Sequence, residues 1–182
     1  MTKVQDTAAG GALIAIAAVV TRIITLFLWF ALGVVLLAIP TVALFQGQFM
    51  HGIADGLAQN RIIVDPANLA WKIIAILMGA AVTLALTIAF FTLLYRIALT
   101  VRAGDPFIAR NAERLRSMAW LFLSLEVGSV ILGIMARTLL PMAKEGGIDI
   151  SVTSLVAILA LFVLARVFEQ GTQMRAEIEG TV

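Results

Sequence analysis

Hydrophobic residues in this chain come in long unbroken blocks, not in the alternating or three-and-four spacing of a soluble fold. Ile23–Phe45 and Ile73–Tyr95 carry no charge, Ser117–Ala136 carries only Glu126, and Ile150–Ala165 again carries none. A helix crossing a hydrocarbon layer of about 30 Å needs about 20 apolar residues. The first three blocks meet that length directly. The fourth meets it once the helix continues through Arg166 towards Gln170, with Arg166 snorkelling to the headgroups. The pattern predicts an all-α polytopic membrane protein, one membrane domain over 1–182, with spans at about 23–45, 71–95, 117–138 and 150–170. Between and after them it leaves a central loop at 96–116 and a tail at 171–182.

The stretch before the first span is less simple. Residues 7–45 are apolar apart from Arg22, and as one helix they would be about 58 Å long, too much for one crossing. Either residues 7–20 lie in the interface before a span starting near Arg22, or Arg22 sits deep within a long tilted helix. The first is favoured, because a buried arginine needs a partner. No cleavable signal peptide is expected: only Lys3 precedes the Ala-rich run, and no small-residue cleavage pattern closes it.

Composition agrees with the pattern. The chain is 62% hydrophobic and 13% charged, against about 45–50% and about 25% in soluble domains. Mean hydropathy is +1.05. Cysteine is absent and His51 is the lone histidine, so thiolate sites, Cys nucleophiles and His-cluster metal centres are excluded; no cofactor is expected.

Charge adds orientation. The N-terminal stretch, the central loop and the chain from Arg166 onward together hold nine Lys and Arg; the two remaining loops hold four. The positive-inside rule then predicts both termini and the central loop in the cytoplasm. Trp71, Tyr95 and Trp120 fall at expected span ends, as an aromatic belt requires.

The candidate chemistry is concentrated in 103–120, AGDPFIARNAERLRSMAW. Asp105 is placed to cap a helix, Pro106 suits the first helical position, and Gly104 supplies the turn before it. Phe107, Ile108, Ala112, Leu115, Met118 and Ala119 then fall within about 140° of one another, with Arg110, Glu113 and Arg116 opposite and Arg114 at one edge. Glu113 is three residues from both Arg110 and Arg116 and can pair with either. These residues predict a short amphipathic cytoplasmic helix running into the third span. It serves as an anchor on anionic lipid or as a docking face for a soluble partner; direct nucleic-acid binding is not expected, for aromatics are not interleaved with the arginines. The central loop carries a formal +3 and the tail −1 before the terminal carboxylate, so the two are expected to dock.

Elsewhere the signals are thinner. Glu126 lies mid-span on a face shared with Ala119, Phe122, Ser129, Gly133 and Arg137, directed at neighbouring helices, with Arg166 or Arg22 as partner. Its structural reading is a helix contact; its functional one is a proton or ion relay. Gly79, Thr83 and Thr87 form a small-residue seam suited to packing or, less readily, to lining a substrate path. His51, Asp55 and Asp65 have no constellation around them that points to metal or acid–base work.

Two stretches carry a resemblance. GDPFIARNAERLRSMAW at 104–120 is similar to a signature, and LFVLARVFEQGTQMRAEIEGTV at 161–182 to the closing motif, of the bacterial membrane proteins called domain of unknown function 2975. The likeness extends over the four-span layout from about Arg22, and residues 7–21 have no place in it. It implies a four-helix inner-membrane protein with cytoplasmic ends, often encoded beside a small helix-turn-helix regulator, and brings no catalytic residues with it. The positions it suggests for partner contact are Gly104, Asp105, Pro106, Phe107, Asn111, Arg114, Leu115 and Arg116. The intramembrane polar candidates are Glu126, Arg137 and Arg166.

The leading expectation is a non-enzymatic regulatory or scaffolding protein whose cytoplasmic loop and tail bind a soluble partner such as a transcription regulator. The alternatives are a small transporter or membrane sensor using Glu126, or an accessory subunit of a larger membrane complex or oligomer.

Overall fold

The computed structural model describes residues 2–59, 66–139 and 151–179, and every element among them is an α-helix. In chain order these are α1 (Thr2–Leu44), α2 (Gln46–Gln59), α3 (Pro66–Arg102), α4 (Ala109–Leu139) and α5 (Val152–Glu179). Four of them are long and apolar enough to cross a membrane, over Ile14–Leu44, Asn68–Arg102, Ala109–Arg137 and Val152–Glu177. The large side chains left on the outside are mostly hydrophobic, Phe27, Phe30, Leu37, Val82 and Val163 among them. With no water in the bilayer core, backbone groups must be satisfied internally, which a helix does by itself. The apolar exterior and the all-helical backbone therefore answer one solvent.

Three elements depart from the expected layout. α1 runs without interruption through Arg22, so residues 7–20 prolong the spanning helix and no turn sets them apart from it. The Arg22 guanidinium lies over the Tyr95 ring, 5.6 Å from its centroid. Tyr95 closes the expected second span, so Arg22 meets its partner at a span end. Second, part of the stretch read as the first loop is the helix α2: Met50 and Ala54 are buried, Ile53 is half-buried, and His51 and Asp55 face out. Met50 joins Leu69 and Ala70 in a small core with Val42, Ile53 and Ile73 against it. A loop without charge until Asp55 has enough apolar spacing to form an amphipathic helix of its own. Third, the expected loop 96–116 is largely helical: α3 continues to Arg102 and α4 begins at Ala109. The tail, likewise, is α5 as far as Glu179.

The described residues fall into two compact units. One comprises Trp29–Leu86 and Leu125–Ile150, and holds the α2 core. Within it Gly79 of α3 packs so closely on Leu132 of α4 that an added Cβ would stand 2.8 Å from Leu132 Cδ1. That close approach is the packing role expected of the small-residue seam. The other unit comprises Met1–Leu28, Thr87–Ser124 and Ser151–Val182. Its core is Ile97, Leu115, Met118 and Ala165, with Phe90, Leu93, Leu94, Val101, Leu161 and Phe168 against it. The candidate site belongs to this second unit.

Candidate functional site: the α3–α4 turn and the end of α5

The turn between α3 and α4 is built from the end of the first helix. Gly104 has φ +88°, a left-handed conformation that costs a residue with a Cβ about 1–2 kcal/mol. Its N–H donates to Val101 O at 3.1 Å and the Asp105 N–H donates to Thr100 O at 3.2 Å. Those two bonds form a Schellman motif, and a proline shortly beyond is its usual companion. Gly104-Asp105-Pro106 therefore ends α3. The expectation that Asp105 caps the following helix is corrected, since α4 starts at Ala109 and the Asp105 carboxylate is engaged elsewhere.

Asn111 then ties the turn to α4. It has no exposed surface, so its amide must find partners within the protein. Its Nδ2 donates to Thr100 Oγ1 at 2.7 Å and to Pro106 O at 2.9 Å. Its Oδ1 accepts from Arg114 Nη1 at 2.9 Å, and the same nitrogen donates to Arg96 O at 3.2 Å. One buried amide thus joins the last turn of α3, the connecting segment and the first turns of α4. Part of the amphipathic face predicted for that stretch is present as the start of α4: Ala112, Leu115, Met118 and Ala119 are buried, while Arg110, Glu113 and Arg116 are exposed; Phe107 and Ile108 precede the helix, and Phe107 is 43% exposed.

The end of α5 packs against this turn. The Phe107 ring lies 5.1 Å from that of Phe168, and an added Cβ on Gly171 would come within 2.8 Å of Phe107 Cδ1. Glycine in a helix costs about 1 kcal/mol relative to alanine; here it makes room for the ring. One turn further, Arg175 pairs with Asp105. On the other side of the contact, Arg116 Nη2 donates to Glu169 Oε2 at 3.2 Å, and Arg166 Nη1 donates to the same oxygen at 2.8 Å. Phe168, Gly171 and Arg175 recur at helical spacing, so one face of α5 meets the turn. The two signatures noted in the sequence are two halves of one contact; Arg116–Glu169 has the polarity expected of a positive loop and a negative chain end, while Arg175–Asp105 has the reverse.

The candidates divide accordingly. Asn111 and Leu115 are closed to any partner, Arg114 is half-buried and bonded to Asn111, and Phe107 is held by α5. Arg116 stays exposed while paired. Glu113, expected to pair with Arg110 or Arg116, makes no ion pair among the described residues. Arg166 pairs with Glu169, and Arg22 lies over the Tyr95 ring. Glu126 is half-buried on α4, its carbonyl accepting the Ser129 hydroxyl at 2.8 Å. Arg137 is half-buried in the last turn of α4. Asp65 lies outside the described residues. Sequence reasoning missed Thr100, Phe168 and Gly171 as parts of the site; the helical spacing of Phe168, Gly171 and Arg175 was the available signal.

A sequence profile of the family described as "protein of unknown function (DUF2975)" matches residues 58–182. The chain belongs to this family. The match takes in α3, α4 and α5, and with them the whole turn and the α5 end that packs on it. It begins later than the resemblance from about Arg22, so α1 and nearly all of α2 precede it. No curated protein and no solved structure matches the chain.

Proposed function

We propose that this DUF2975 member is a non-enzymatic regulatory or scaffolding protein of the bacterial inner membrane. Its α3–α4 turn and α5 end act as one cytoplasmic platform for a soluble protein. The observation that carries this reading is the lock between them, in which Phe107 seats on Gly171 while Asp105–Arg175 and Arg116–Glu169 close the two sides. A platform held by packing and ion pairs presents its charged groups at fixed spacing, and such preorganisation lowers the cost of binding.

The face offered to the partner is a cleft of about 260 Å³ lined by Glu113, Arg116, Glu169, Thr172 and Gln173. It carries both signs of charge, which suits a protein surface better than a nucleic acid. The helix-turn-helix regulator encoded beside such genes is the proposed occupant.

The test is co-purification of that regulator with the full chain from mild detergent. The wild type is expected to retain it, and Arg116→Glu with Gln173→Glu is expected to release it at unchanged membrane insertion. Equal retention by both proteins would sink the proposal.

A further inference from the structure

The arginines around the start of α4 have a second side. Arg96 near the end of α3, with Arg110 and Arg114 of α4, lines an open cleft of about 260 Å³ together with Leu93, Glu113 and Ser117. Neither Arg96 nor Arg110 makes an ion pair among the described residues. The partners of Arg114 are neutral oxygens, Asn111 Oδ1 and Arg96 O. Three guanidinium groups therefore face one cleft with a single exposed carboxylate at its edge, an arrangement that favours an anion between them.

Position narrows the chemistry. Leu93 lies within the apolar run that ends at Tyr95, and Arg96 follows that run directly. The cleft therefore straddles the change from apolar span to charged turn, the depth at which lipid phosphates sit. Its volume exceeds the roughly 30 Å³ share of one water several-fold, enough to admit a phosphate group. The Ser117 hydroxyl adds an uncharged donor on the side towards the span.

We propose that Arg96, Arg110, Arg114 and Ser117 form a binding site for a phosphate group, supplied in the membrane by an anionic lipid headgroup. The site adjoins the platform's cleft and shares Glu113 with it, but Arg116 and Gln173 do not line it and Arg96 and Arg110 do not line the platform's cleft. Bound phosphate would bridge α3 to α4 beside the turn that Asn111 closes, and so hold that turn from its outer side.

The test uses the full chain in neutral detergent, titrated with short-chain phosphatidylglycerol and separately with inorganic phosphate. Saturable binding of either is expected in the wild type. It should weaken at least tenfold, roughly the loss of one charge-assisted hydrogen bond, in Arg96→Gln with Arg110→Gln. Arg114 is left intact because Asn111 depends on it. Glu113→Gln should strengthen binding, and Arg102→Gln, an exposed arginine outside the cleft, should leave it unchanged. Phosphatidylglycerol binding that inorganic phosphate fails to displace identifies a lipid as the source; displacement at equal concentration identifies free phosphate. No saturable binding, or an equal loss in Arg102→Gln and in the double variant, would overturn the site and leave only a basic surface.

Discussion

The two sides of the first turns of α4 make an instructive pair. On one side Arg116 meets Glu169, and Arg175 of α5 meets Asp105, so each cation has an acid and the result is a closed contact. On the other, Arg96, Arg110 and Arg114 share a cleft in which Glu113 is the one carboxylate. Both sides stand on the same buried amide, Asn111, and are a few residues apart in sequence. The difference teaches that five arginines in a short loop are not one basic patch. Arg116, facing α5, is spent on holding the loop and tail together; Arg96, Arg110 and Arg114 share the other cleft with like charges for neighbours, and Arg102 lines neither.

The pair can be dismantled in graded ways. Asn111→Ala removes the support that both sides use and leaves Pro106 O and the Arg114 guanidinium short of a partner. With unsatisfied buried groups costing about 1–3 kcal/mol each, we expect a loss of about 3 kcal/mol. It is measured as a lower midpoint of thermal unfolding in detergent by circular dichroism. A near-neutral result would mean that the turn does not depend on this amide.

Gly171→Leu strikes only the closed side. Its side chain would enter the space of the Phe107 ring, and overpacking of this kind costs about 1–3 kcal/mol. Trypsin should cut the central loop several-fold faster in membrane vesicles, as it should when residues 171–182 are deleted. Gly33→Leu, where an added Cβ meets nothing within 4 Å, serves as the control and should leave cleavage unchanged. Unchanged cleavage in the Gly171 variant and in the deletion would show that the tail does not shield the loop.

The smallest effect belongs to the ion pairs. Asp105 and Arg175 are each about half exposed, with side-chain exposures of 44% and 50%. A double-mutant cycle of Asp105→Asn and Arg175→Gln should give a coupling below about 1 kcal/mol, fading as salt is raised. A coupling of several kcal/mol, insensitive to salt, would place the pair in a far drier setting than its exposure indicates.

Much of this molecule was legible before its structure. Runs of apolar residues located the four long helices, and the 100° spacing placed Ala112, Leu115, Met118 and Ala119 inside with Arg110, Glu113 and Arg116 outside. Charge opposition between the loop and the chain end foretold the Arg116–Glu169 pair but not Arg175–Asp105, whose signs are reversed. Gly104-Asp105-Pro106 was misread because the same three residue types serve at helix starts and at helix ends. Only the bonds from Gly104 and Asp105 back to Val101 and Thr100 tell the two apart. α2 was passed over because Gly47, Gly52 and Gly56 lower helix propensity, and its burial against Leu69 and Ala70 outweighs that.

What the sequence determined by itself is what each stretch asks of its solvent: four helices of spanning length, an amphipathic start to α4 and an uneven spread of arginine. Those depend on near neighbours along the chain and on whether a side chain prefers oil or water. Which arginine meets which carboxylate, why a glycine stands at position 171 and where Asn111 finds its partners were decided by tertiary structure alone. Each is a contact between residues brought together by helix packing, and no local pattern encodes the partner's address.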